Sequence, residues 1–266
     1  MIENFYFKDN YNINDLIEIM KILRSPEGCP WDAEQDHASI KKSLIEETYE
    51  VIEAINKNDR ELLLEELGDV LLQVVFHAQM ESEIDSFDFD DVCDGICKKL
   101  IIRHPHVFGD VQVENSEQVL SNWDDIKRQT KEHKTTTQAM NSVPRELPAL
   151  MRATKIQAKA KKAGFDWDNV DGALAKVFEE AHELQVEIDR NSDKIEEELG
   201  DLLFAVVNVS RFLKVDAEEA LTSATDKFFN RFSKIEKLAT ERGFNMKESS
   251  LEELDKLWEE VKKKDI

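Results

Sequence analysis

The sequence predicts an all-α protein made of two tandem helical bundles, and three observations carry that expectation. Only 8 Gly and 5 Pro occur in 266 residues, too few for the turns of a β-sandwich. Long stretches rich in Glu, Lys, Leu and Ala favour helix instead. The third observation is a repeat. "EGCPWD" at 27–32 returns as "AGFDWD" at 163–168, and "NWDDIK" at 122–127 returns as "LWEEVK" at 257–262. Trp31 and Trp167 lie 136 positions apart, Glu47 and Glu180 133, Asp69 and Asp201 132, and Trp123 and Trp258 135. Four landmarks in unchanged order at a nearly constant offset mark a duplicated unit. The first unit is placed at 1–132, a linker at 133–150 and the second unit at 151–266. The stretch 131–150 holds three consecutive Thr and two Pro and keeps no apolar period, which reads as a connection.

Each element follows from apolar spacing. "SLIEETYEVIEAI" (43–55) carries Leu44, Ile45, Val51, Ile52 and Ile55 at helical intervals. "DRELLLEELGDVLLQVVFHAQM" (59–80) predicts a long helix whose more apolar end is buried in the bundle. Segments 173–189 and 193–213 repeat this pair, and further helices are expected at 88–103, 115–132, 216–241 and 249–264. Pro105 in "RHPHVF" ends a helix, because proline disfavours helix at the residue before it. Trp31 and Trp167 are expected to hold the chain against its bundle, the lesser alternative being that they line the pocket.

Composition excludes some partners. With 57 acidic and 35 basic residues the net charge is −22, which repels nucleic acid and anionic membranes. Three cysteines, Cys29, Cys93 and Cys97, form no disulfide framework and fit a reducing cytoplasm; Cys93 and Cys97 are expected to be packing residues. "MIENFYFKDN" lacks the pattern of a secretory signal, and no run has the length to span a bilayer.

The carboxylates carry the chemistry. Residues three apart on a helix share a face, so Glu47 pairs with Glu50, Glu66 with Asp69, Glu180 with Glu183, and Glu198 with Asp201. If the two helices of each unit pack antiparallel, four carboxylates converge. Uncompensated, they raise one another's pKa. A hard, oxygen-preferring divalent cation such as Mg²⁺, or Mn²⁺ in its place, resolves the repulsion. Gly68 and Gly200 sit mid-helix just before each Asp, which close approach of another helix or a ligand would explain. No GxxxxGK[ST] loop is present to cradle a triphosphate. Lys176 and Lys194 lie one turn before Glu180 and Glu198, Lys227 and Arg231 share a face, and Trp258 is placed to stack on a base.

"EExxE" followed on the next helix by "ExxD" resembles the all-α nucleoside triphosphate pyrophosphohydrolases. "GCPWD", "LIEETYEV", "ELGDVLLQVVFHAQ", "RHPHVF" and "LWEEVK" extend the resemblance to the MazG branch over nearly the whole chain. The resemblance implies Mg²⁺-dependent hydrolysis of nucleoside triphosphates to monophosphate and pyrophosphate, and a tight, intertwined homodimer. It implies that Glu180, Glu183, Glu198 and Asp201 hold metal, with Glu47, Glu50, Glu66 and Asp69 as their first-unit counterpart, which the loss of two cations is expected to make the less active. Lys176, Lys194, Lys227, Arg231 and Trp258 would contact nucleotide, and Glu179 would orient or deprotonate water. The first unit has Ser43 and Leu62 where the second has Lys176 and Lys194; Lys42, Lys98, Lys99 and Arg103 are candidates to compensate. Two other readings remain. One is a non-catalytic helical scaffold with a structural cation. The other is a di-iron carboxylate protein using Glu179 and His182, which needs a second ExxH where the first unit offers Tyr49.

Overall fold

The computed structural model describes residues 5–264 apart from 117, 120, 121, 124, 125, 127–134 and 244. Much of the helix expected over 115–132, and the start of the linker, lie outside the described residues. Those residues form twelve helices and no strand. The chain divides into two compact units, Met1–Thr130 and Lys131–Ile266.

The first unit contains α1 (Ile13–Leu23), α2 (Pro30–Glu34), α3 (Lys41–Lys57), α4 (Arg60–Ser82), α5 (Phe89–Arg103) and α6 (Pro105–Phe108). Asn12 and Asp88 begin α1 and α5 with capping boxes, and Asp59 caps α4 by accepting from the backbone N–H groups of Glu61 and Leu62. Helix α3 ends at Asn58, whose left-handed backbone (φ 52°) turns the chain straight into α4. The result is an αα-hairpin, with α1 and α5 packed on α4. Met20 from α1, Ile40, and Val75, Phe76 and Met80 from the end of α4 form the core, as the apolar end of that segment predicts. Helix α5 stops at Arg103 and α6 begins at Pro105, so the proline does end a helix.

The second unit contains α7 (Thr136–Asn141), α8 (Ala149–Lys162), α9 (Val170–Arg190), α10 (Ile195–Leu213), α11 (Ala217–Glu241) and α12 (Leu251–Lys264). Thr136–Asn141 thus forms a capped helical turn inside the stretch read as a connection. Helices α9 and α10 make the second hairpin, joined through Asn191 at φ 49°. Helix α8 packs on α10, α7 packs on α8, and α11 packs on α12 and α8. Ile235, Ala239, Leu257 and Val261 form the core of the α11–α12 pair.

Three expectations need correction. The helix over 193–213 repeats that over 59–80, yet its run "LLFAVV" (202–207) is not buried throughout as the repeat predicts: Ala205 and Val207 are buried, whereas Leu203, Phe204 and Val206 are about half exposed. Cys97 is exposed and Cys93 only partly buried, because α5 lays one face alone on α4. Trp31 is 61% exposed, and Arg24 ties down the segment that follows it. Its guanidinium binds the carbonyls of Asp32 and Gln35 at 2.6 and 3.1 Å and forks onto Glu83 at 2.8 Å through both nitrogens.

Candidate functional site

Each hairpin gathers acidic side chains on its inner face. In the first unit α3 supplies Glu47 and Glu50, and α4 supplies Glu66 and Asp69. Oxygens of Glu47, Glu66 and Asp69 all lie within 4.8 Å of one another. Glu66 is 8% exposed, and burial, then the neighbouring Glu50 carboxylate, push its pKa above the usual range. Glu47 is raised in the same way, by burial first and then by its hydrogen bond to Glu50. Gln73, one turn beyond Asp69, is buried, and no donor among the described residues reaches its Oε1.

In the second unit Glu180, Glu198 and Asp201 converge within 4.8 Å, and so do Glu179, Glu180 and Glu183. Glu180, shared by both groups, is 5% exposed. Burial and the charges of Glu183 and Glu180 raise the pKa of Glu198. Lys176 separates the two units electrostatically. Its ammonium donates to Glu179 at 2.7 Å and pairs with Glu180, and those contacts hold its own pKa above the ordinary lysine value. Position 43, its counterpart in the first unit, is Ser.

Of the five nucleotide contacts expected from sequence, Lys176 is tied to the carboxylates Glu179 and Glu180. Lys194 occupies the N-cap position of α10, its backbone N–H held by Ser192 Oγ at 3.1 Å and its side chain exposed. Arg231 lies 5.7 Å from the centre of the Trp258 ring, and Phe228 packs 5.3 Å from the same ring. Lys227 is exposed one turn before Arg231. Arg231 and Trp258 therefore sit together in the α11–α12 hairpin with Lys227 one turn away on α11, while α9 with its carboxylates packs on α10. His182 is exposed, and the candidate metal groups among the described residues contain carboxylates alone.

The glycine expectation is not met among the described residues. A Cβ added at Gly68 or Gly200 would have no described neighbour within 4 Å. Gly172 does mark a close approach: its Cβ would come within 3.0 Å of the Trp167 ring, which lies across the start of α9. The loop carrying Trp167 is fixed by Arg211, which donates to Asp166 at 3.1 Å and to Asn208 at 3.0 and 2.7 Å. Gly164 turns it through φ 84°. Sequence reading missed this network and Gln157, which donates to the Phe204 carbonyl at 2.8 Å. The signal available was the repeat itself, where Asn208 stands opposite Phe76 of the first unit.

Paired helical hairpins with converging carboxylates define a class: all-α proteins whose acidic clusters suit a hard cation. Residues 35–108 and 169–235 match the MazG nucleotide pyrophosphohydrolase domain family, and these segments contain both clusters. The chain is 46% identical over 258 residues to a nucleoside triphosphate pyrophosphohydrolase of Escherichia coli strain K12, across 96% of this chain and 98% of that one. It is 48% identical over 248 residues to the nucleoside triphosphate pyrophosphohydrolase/pyrophosphatase MazG of Thermotoga maritima, across 93% and 94%. It is 48% identical over 246 residues to an uncharacterized Bacillus subtilis protein, YabN, across 92% of this chain and 50% of that one. The chain belongs to the MazG family.

Proposed function

We propose that this protein hydrolyses nucleoside triphosphates to the monophosphate and pyrophosphate, with the reaction centred on the α9–α10 hairpin. The observation that carries the reading is the shared position of Glu180 in two carboxylate groups beside Lys176. The donor set is all carboxylate oxygen, partly buried and self-repelling, which fits Mg²⁺ with Mn²⁺ as a substitute. Glu180, Glu183, Glu198 and Asp201 would hold the ion, which supplies charge neutralisation to the phosphates. Lys176 adds a cation at the same place. Water attacks the α-phosphorus, the bond to the bridging oxygen breaks, and the electron pair leaves with pyrophosphate. Glu179, exposed and bonded to Lys176, would take the proton of that water.

Lys194, Lys227, Arg231 and Trp258 remain in this reading as further nucleotide contacts. A homodimer fits the apolar side chains left on the hairpins, including Leu203, Phe204, Phe178 (68% exposed) and Phe229 (68% exposed). No helix among the described residues is long and apolar enough to cross a membrane. Incubation with ATP and Mg²⁺ in heavy-oxygen water, followed by phosphorus NMR, tests the reaction. AMP carrying the label plus unlabelled pyrophosphate is expected. ADP plus phosphate, or label in pyrophosphate, would overturn it.

A further inference from the structure

We propose that His37, His77 and Glu81 form a proton-operated clip that fastens the loop before α3 to the end of α4 at neutral pH and releases it in mild acid. The three side chains stand in a row. His37 Nε2 lies 2.7 Å from Glu81 Oε1, and His37 Nδ1 lies 2.7 Å from His77 Nδ1. The two histidine rings are nearly parallel, 8° apart with their centroids at 5.0 Å. His37 belongs to the loop between α2 and α3, 40 positions before His77, so the row joins a loop to a helix.

Two imidazole nitrogens at that distance need one proton between them, because two lone pairs repel and so do two N–H groups. With Glu81 ionised, His37 donates to the carboxylate through Nε2, and the Nδ1 junction holds the proton of one ring. A first added proton is tolerated. His37 carries it against Glu81 and donates to His77 through Nδ1, while the His77 proton rests on Nε2. A second added proton puts N–H groups on both sides of the junction and sets two cations face to face. The clip then opens. His77 takes that second proton, and burial first, then the charge of His37, hold its pKa below the ordinary histidine value. A histidine depressed in this way contributes stability above its unfolded pKa that is lost as pH falls through the folded value, so release lies below about pH 6.5. Glu81 stays ionised over that window, since hydrogen bonds from Ser86 and then His37 hold it below the usual carboxylate range.

Charged groups on the neighbouring elements have engagements of their own. Asp36, beside His37, accepts at Oδ1 from the N–H groups of Ala38 and Ser39 at 2.9 and 2.8 Å, and its charge favours a proton on His37. Arg24 at the end of α1 faces Glu83 and the carbonyls of Asp32 and Gln35. On α3, Lys42 pairs with Glu46 and Lys41 is exposed. At the start of α5, Asp88 and Asp91 each accept from the other's backbone N–H. The repeat confines the clip to the first unit. At the offset of 132 that relates Asp69 to Asp201, Val209 and Leu213 stand opposite His77 and Glu81, and neither titrates. The clipped loop runs straight into α3, which carries Glu47 and Glu50, so the row ties the start of the first hairpin to its second helix.

Hydrogen exchange of the full-length protein in chelator, corrected for the intrinsic rate at each pH, tests the clip. The reporters are the amides of Ala38, Ser39 and Ile40, all hydrogen-bonded to Asp36 within the loop. Their protection should fall at least about tenfold between about pH 7.5 and about pH 5. The amides of Asp171 and Gly172, held by Asn169 at the start of α9, should keep theirs. His37→Ala should leave the loop poorly protected at both pH values. His77→Gln can donate or accept but does not titrate, so it should keep protection at both. Equal protection of the native loop at the two pH values, the same fall in folded His77→Gln, or a parallel fall at Asp171 and Gly172 would overturn the clip. If His77→Gln fails to fold, NMR titration of the histidine rings decides. Two separated steps in the native chain, the lower returning towards the ordinary histidine value in His37→Ala, support the clip, and a single ordinary step for both rings refutes it.

Discussion

Glu66 and Glu180 are the most buried acidic side chains among the described residues, and their surroundings differ in one respect. Glu180 has Lys176 against it; Glu66 has Glu47, Glu50 and Asp69. Burial and Glu50 raise the pKa of Glu66, so between its unfolded and folded values the folded chain binds the extra proton. Stability contributed by the protonated form is therefore complete below the unfolded pKa and is lost as pH rises through the folded value. Glu66→Gln should raise the melting temperature near pH 7 in chelator, and the gain should fade near pH 4, where both states are protonated. Saturating Mg²⁺ should reverse the ranking at pH 7, because the carboxylate then has a partner. A lower melting temperature for Glu66→Gln in chelator would contradict this account of the cluster. At this scale the sequence was most legible for residues three apart on one helix, since helical geometry alone sets which carboxylates share a face. It was least legible for pairs such as Asp166 and Arg211, 45 positions apart, whose meeting depends on how whole helices pack.

The helix hairpins were readable as elements because apolar spacing is a local signal. The exposure of Leu203, Phe204 and Val206 was not, because an apolar run says only that burial is favourable, not which surface provides it. Gly200 belongs to the same lesson. It interrupts α10 at a cost of about 1 kcal/mol relative to alanine, and no described atom lies where its Cβ would go. Gly200→Ala should therefore stabilise the fold by about 1 kcal/mol, seen as a melting temperature a few degrees higher. A lower melting temperature would show that something approaches α10 more closely than the protomer itself does.

Across the whole molecule, the duplication supplies two hairpins with matching carboxylates and unlike cations. Lys176 faces Glu179 and Glu180, whereas the first unit has Ser43 at that position. Lys42 and Lys98, candidates to compensate, are paired with Glu46 and Asp94 on their own helices. Exposed apolar residues along both hairpins favour association, and sedimentation equilibrium should give about twice the 30.8 kDa chain mass. A monomer at micromolar concentration would leave those faces unexplained. The division of labour between the hairpins is the central claim, and pyrophosphate release from ATP at saturating Mg²⁺ by full-length Glu183→Ala and Glu50→Ala tests it most directly. Glu183→Ala should lose roughly 100-fold or more with its helical circular dichroism intact, and Glu50→Ala should lose far less. Greater damage from Glu50→Ala, with oligomeric state unchanged, would contradict the assignment of the reaction to the second hairpin.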